Sequence, residues 1–253
     1  MDVFFEIHRG LPQEGPGSDA ATLEALSCVG PLPTPPRILD IGCGPGRQTL
    51  CLAEKTGGHI TAVDTHQPYL DELLRRAKEK GIADRITAVR RSMDALSFEE
   101  GTFDLIWAEG SIYVMGFAEG LRDWRRFLRL EGAMVVTELC WLVDSPPEEA
   151  RSFFQVAYPA MRSVAENTHI INKAGYSIIA VFLLPESAWW DDYYTPMEER
   201  ISDLKRRYVS EPAILETLRE EQKEIDLYRR YSNAYGYVFF IMSKNHEQPC
   251  TTT

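Results

Sequence analysis

The chain has no long apolar run, no excess of basic residues and no cluster of cysteine or histidine. Each absence removes a class of function. A bilayer-spanning helix needs about 20 consecutive apolar residues, and the start of the chain is interrupted by Asp2 and Glu6, so neither a membrane span nor a signal peptide is expected. The formal net charge is -11, whereas a groove that tracks nucleic acid wants clustered positive charge. The basic pairs Arg90-Arg91, Arg125-Arg126 and Arg206-Arg207 lie in mixed-charge segments and read as solvated faces. No nucleic-acid partner is expected. Cys28, Cys43, Cys51, Cys140 and Cys250 are odd in number and form no C-x-x-C, a pattern of reduced, cytoplasmic thiols. The five histidines form no H-x-x-x-H, so no metal site is indicated. No Y-x-x-x-K pair is present either, which disfavours one large class of nicotinamide-dependent reductases.

What is present is enough for one sizeable core: 253 residues, 44% of them hydrophobic. The most informative stretch runs from Arg37 to Gly46. An apolar strand ends in Asp40 and enters the turn Gly42-Cys43-Gly44-Pro45-Gly46, and Arg47 to Lys55 reads as a helix. Such a unit brings backbone N–H groups up to a nucleotide-like ligand. The carboxylate at the strand tip is the discriminating feature. It would repel a pyrophosphate but suit a ligand carrying an ammonium and a sulfonium, such as S-adenosyl-L-methionine (SAM). The dinucleotide loop wants a third glycine at the helix start, where this chain has Arg47.

Further strands follow in order. Ile60 to Asp64 ends in an acid about 20 residues past the loop, a spacing that suits a ribose-binding carboxylate in SAM and NAD proteins alike. Arg85 to Val89 leads to Ser92-Met93-Asp94, and Phe103 to Trp107 leads to Glu109. Ala133–Trp141, Tyr176–Leu184 and Tyr235–Ser243 read as the remaining strands, and helices are expected at Gln67–Lys80, Ala118–Leu130 and Ser163–Ala174. This alternation argues a doubly wound α/β sheet. Residues 1–36 form a leader whose stretch from Leu11 to Thr22, with the flexible Gly15-Pro16-Gly17-Ser18, is expected to close as a lid, and residues 37–253 one domain. An unusually long connection, 185–234, carries Trp189, Trp190, Tyr193 and Tyr194 and then charged helices that read as a surface brace, a homodimer contact or part of a pocket.

The segments around Asp40, Asp64, Met93-Asp94 and Phe103-Asp104, in this order, resemble the class I SAM-dependent methyltransferases. The segments Ile7–Pro12, Gly15–Ser18, Trp107–Tyr113 and Ala174–Glu186 narrow the resemblance to a bacterial and archaeal group of small-molecule methyltransferases loosely related to quinone-biosynthesis methylases. It implies a seven-stranded Rossmann-like sheet with an antiparallel last strand, here with a helical insert before it. It also implies SAM as cofactor, held by Asp40, Gly42, Cys43, Gly44, Asp64, Thr65, Met93, Asp94 and Glu109. After the fourth strand the chain reads Ala108-Glu109-Gly110-Ser111, not the N-P-P-Y turn of amino-directed enzymes on adenine or glutamine. Pro249-Cys250, in the tail, is read as incidental rather than as a cytosine-C5 nucleophile.

Methyl transfer from a sulfonium needs alignment and exclusion of water more than side-chain chemistry. If the acceptor must lose a proton, Glu109 is the first candidate base, with Tyr113, His66 and Glu138 also at strand ends, where open α/β sheets bind ligands. Trp141 and the Trp189–Tyr194 aromatics are expected to wall a small-molecule acceptor. A non-catalytic SAM-binding module and an NAD(P)-dependent reductase stay open as alternatives.

Overall fold

A computed structural model describes residues 6–7, 11 and 13–245. The leader motif is therefore seen only at Ile7 and Leu11, both buried, and Pro249-Cys250 lies outside the described residues. Helix α1 (Asp19–Cys28) is capped by the Ser18 hydroxyl, which accepts from the Ala21 N–H. Strand β1 (Arg37–Ile41) then runs through the centre of the molecule with four of its five residues buried. Burial on both faces is what a continuous apolar run such as Ile38-Leu39 dictates, and it is typical of parallel strands.

Strands β1, β2 (His59–Asp64), β3 (Ile86–Arg90), β4 (Phe103–Ala108) and β5 (Leu128–Trp141) are parallel. A two-residue strand, β6 (Arg162–Ser163), pairs with the end of β5. Strand β8 (Tyr235–Lys244) inserts antiparallel between β5 and β7 (Tyr176–Leu183), giving the order β3-β2-β1-β4-β5-β8-β7. The expected sheet with an antiparallel last strand is therefore present, with β6 as an addition.

Helices α2 (Arg47–Thr56), α3 (Gln67–Glu79), α4 (Phe117–Trp124), α5 (Glu148–Ala157) and α6 (Val164–Lys173) connect the strands. The α6 start is a capping box of Ser163 and Glu166. The helix expected over Ala118–Leu130 stops early. Its chain tightens into a 3-10 turn at Arg125–Phe127, and Leu128 already pairs with Phe103. Glu131, with φ 62, lies where the β4–β5 register shifts, so the long strand looked like a helix followed by a turn. The insert contains the short α7 (Ser187–Trp189), a π-helical turn (Trp190–Tyr194), α8 (Thr195–Arg207) and α9 (Pro212–Tyr231). No helix among the described residues is long and apolar enough to cross a membrane.

Candidate cofactor and acceptor site

Strand order reverses between β1 and β4, and a crevice opens beyond their carboxyl ends, as the switch point of an open α/β sheet requires. The glycine loop forms one wall. The Gly42 and Cys43 N–H groups both donate to the Val63 carbonyl, at 2.8 and 3.0 Å, which ties the loop to β2. Gly42 has φ 73, and a Cβ built there would lie 2.4 Å from the Ser111 Cβ. The Ser111 hydroxyl donates to the Ile41 carbonyl at 2.6 Å, so this close approach joins the ends of β1 and β4. Asp64 Oδ2 accepts from the Gly44 N–H at 3.0 Å and Oδ1 from the His66 N–H at 2.8 Å. The carboxylate is thereby fixed at the rim of the crevice.

The crevice has a volume of about 400 Å³. Gly42, Cys43, Gly44, Asp64, Thr65 and Met93 line it, together with His66, Glu109 and Tyr113. Asp40 and Asp94 do not. Asp94 is exposed. Asp40 is fully buried beneath the loop, where it accepts from the Thr49 hydroxyl at 2.5 Å and from Gln48 Nε2 at 3.4 Å. Burial pushes its pKa up to about 7. The Thr49 hydrogen bond opposes the shift, and the nearby Glu109 charge adds to it. The carboxyl group chosen in the sequence for its charge holds the loop and α2 together from below.

Glu109 is held by three donors. Oε1 accepts from the Thr22 hydroxyl at 2.7 Å and the Trp107 indole at 2.8 Å, and Oε2 from Arg47 at 2.8 Å. Arg47 also reaches Asp19 at 3.0 Å. The residue standing in place of a third loop glycine therefore clamps α1 and the end of β4 to the start of α2. A base needs an open lone pair, and this carboxylate has spent most of its own on structure.

Behind the crevice lies a second cavity of about 260 Å³, and Glu14, Gly15, Pro16, Gly110 and Tyr113 line both. Trp189, Tyr193 and Tyr194 face it as expected. Trp141 and Trp190 do not. Trp141 stands one layer back, edge-on to Phe154 at 5.6 Å and Tyr235 at 6.2 Å. Trp190 packs on Tyr194 and Tyr228, with the Arg229 guanidinium 4.9 Å from its ring centre. Glu138 is buried and receives the Tyr158 hydroxyl, and Tyr158 lines the cavity. Burial holds the Glu138 pKa at about 7 against that hydrogen bond.

Sequence reasoning missed Glu14, Tyr158, Glu221, Glu224, Tyr235 and Tyr237. A signal for two of them was available. Glu221 and Glu224 share a face of α9 with the buried Leu218, Ile225 and Tyr228, and a carboxylate on an apolar stripe needs a reason. Glu14 sits against Gly44, and burial raises its pKa to about 7, opposed by a hydrogen bond with Tyr69 and aided by the Asp64 charge.

Comparison with known proteins agrees with this geometry. The family described as methyltransferase domain matches residues 38–132. The sarcosine/dimethylglycine N-methyltransferase of Halorhodospira halochloris is 29% identical over 147 residues, which is 56% of this chain and 53% of that protein. The geranyl diphosphate 2-C-methyltransferase of Streptomyces lasalocidi is 29% identical over 119 residues, 47% of this chain and 39% of that protein. The chain thus matches about half or less of these relatives' lengths. A SAM-dependent methyltransferase of Geobacter sulfurreducens, solved with S-adenosyl-L-homocysteine, superposes with a TM-score of 0.82 at 20% identity, covering 96% of this chain and 97% of that one. The chain has the Rossmann-like α/β fold of the SAM-dependent methyltransferases, with the family match running from its first strand through the glycine loop and fourth strand to the start of the fifth.

Proposed function

We propose that the protein transfers a methyl group from SAM to a small-molecule acceptor. The observation that carries this reading is the pair of adjoining cavities at the switch point. One is walled by a glycine loop and Asp64, the other by the aromatics of the insert, and they meet at Gly110 and Tyr113. The match to a methyltransferase domain and the likeness to a methyltransferase solved with S-adenosyl-L-homocysteine support it. The names of the relatives leave the acceptor open, since sarcosine and geranyl diphosphate share little chemistry.

The residues present fit SAM. Gly42 is closed to any side chain because a Cβ there would run into Ser111, so the loop packs as bare backbone beside the crevice it lines. Asp64 would hold the ribose diol, Thr65 and Met93 the adenosine flank, and Gly42 to Gly44 the methionine end. When bound, SAM supplies an activated methyl group. The chain's own work is orientation and exclusion of water. The leader segment expected to close, Leu11 to Thr22, serves through its described residues as a lid over this crevice, with Glu109 as the clamp beneath it and Tyr113 as the residue facing both cavities. Kinship with quinone-biosynthesis methylases and a cytoplasmic location are finer readings supported by the sequence motifs and the thiol pattern, and the charged helices of the insert offer a homodimer contact.

Two other readings are separated by experiment. A non-catalytic module would bind SAM without consuming it, and a reductase would bind a nicotinamide cofactor. Incubating the protein with SAM and an acceptor library, and following S-adenosylhomocysteine by mass spectrometry, is the test. Acceptor-dependent product supports transfer; binding of SAM without turnover across the library contradicts it.

A further inference from the structure

The second cavity has an unbalanced charge. Its described lining residues include Glu14, Glu221 and Glu224 and no lysine, arginine or histidine. Glu221 and Glu224 project from one face of α9, and the Tyr194 hydroxyl donates to Glu224 at 2.9 Å. The rest of the lining is largely aromatic, with six tyrosines and Trp189. Two of these aromatics carry unmatched polar atoms. Trp189 Nε1 and the Tyr235 hydroxyl have no hydrogen-bond partner, and the two residues are 2% and 1% exposed. A buried donor left alone carries the cost of an unmade hydrogen bond, which marks this wall of the cavity as polar beneath its aromatic surface.

Resting on the methyl-transfer reading above, we infer that the acceptor is an amine. Its nitrogen is held as a cation between Glu221 and Glu224, and its apolar body lies against the tyrosines. The opposite classes fail on electrostatics. A phosphate or carboxylate acceptor would enter a low-dielectric pocket holding three carboxyl groups and no described cation. An ammonium ion gains from both features of the pocket, because aromatic faces and carboxylates attract the same sign of charge.

Burial also suits the pair to a proton-transfer role. It pushes the Glu221 pKa up to about 7, with the Glu224 charge adding to the effect, and it raises Glu224 as well. Before transfer the ammonium nitrogen must give one proton to a cavity carboxylate. The freed lone pair then forms the new N–C bond, while the C–S bonding pair returns to sulfur. The product is a methylammonium ion, a neutral thioether and a protonated glutamate that discharges to water.

The test is calorimetric binding of matched trios to protein saturated with S-adenosylhomocysteine: 2-phenylethylamine, 2-phenylethanol and 3-phenylpropionate, then hexylamine, hexanol and heptanoate. In each trio the amine should bind at least tenfold more tightly than the alcohol, and the carboxylate should give no heat. The double variant Glu221→Gln/Glu224→Gln should lose that preference while its melting temperature and S-adenosylhomocysteine affinity are kept; Glu221→Gln alone should lose part of it. An alcohol or carboxylate that matches the amine, amines silent on both skeletons, or a preference that survives in the double variant would overturn the proposal. If S-adenosylhomocysteine itself fails to bind, the methyl-transfer reading falls, and the trios run on the protein alone still judge the amine site.

Discussion

Arg47 Nη2 and Glu109 Oε2 lie 2.8 Å apart, with both side chains less than a tenth exposed. The pair joins the first residue of α2 to the residue just past β4, and Thr22 of α1 completes it through Glu109 Oε1. Removing one partner of a buried ion pair strands the other and costs about 3–5 kcal/mol. Because Arg47 keeps Asp19 at 3.0 Å, Glu109→Ala is expected to lower stability by the low end of that range or less in urea unfolding, with a loss of SAM binding that follows the unfolded fraction. A fully stable variant with only its pH–rate profile changed would make Glu109 a base and not a clamp.

Gly42 faces Ser111 so closely that no side chain fits, and its φ of 73 adds strain for any other residue. Left-handed backbone alone costs about 1–2 kcal/mol for a residue with a Cβ. Gly42→Ala should therefore weaken S-adenosylhomocysteine binding at least tenfold by calorimetry. Gly57→Ala, where φ is 65 and the added carbon meets nothing, serves as the control: strain without loss of binding. Equal binding by both variants would separate the loop from the cofactor.

The stability of the fold should fall as pH rises from about 4 to 7. Asp40 has its pKa raised from 3.8 to about 7 by burial. In the unfolded chain the carboxyl group gives up its proton near the lower value, whereas in the folded chain it keeps it to the higher one. Between the two values the folded state binds more protons, so stability declines with pH. Glu138, raised to about 7, contributes in the same sense. Thermal unfolding of Asp40→Asn across this range should show a shallower decline than the parent protein. A parallel pair of curves would show that Asp40 titrates normally.

The leader is tied to the insert by a hydrogen bond from the Gly17 N–H to the Ala188 carbonyl at 3.1 Å, and Glu14 to Pro16 line both cavities. Cleavage at Glu14 by a glutamate-specific protease should slow severalfold when S-adenosylhomocysteine is bound. Equal rates with and without it would count against a lid.

The sheet was legible because its strands are short apolar runs ending in acids or aromatics, as at Ile60–Asp64 and Phe103–Trp107, too short for a buried helix and bounded by turn or glycine signals. The end of α4 was not, because Leu128 to Leu130 continue the helical pattern while pairing with β4 decides their conformation. Positions on the loop, such as Gly42 and Asp64, followed from spacing. The sequence puts Asp40 at the strand tip, but the side of the loop its carboxylate faces depends on Gln48 and Thr49, in the first turn of the next helix. Glu221 and Glu224 lie more than a hundred residues from Tyr113, and only the fold-back of α9 brings them to the same cavity.

The central claim is that the crevice between the glycine loop and Asp64 is a SAM site. Calorimetric titration of the purified protein with S-adenosylhomocysteine, alongside NAD and the Asp64→Ala variant, tests it most directly. The expected result is saturable 1:1 binding of S-adenosylhomocysteine, no heat from NAD, and a loss of about 1–3 kcal/mol in the folded variant from unpaired ribose hydroxyls. No binding of S-adenosylhomocysteine, or an affinity that Asp64→Ala leaves unchanged, would contradict it.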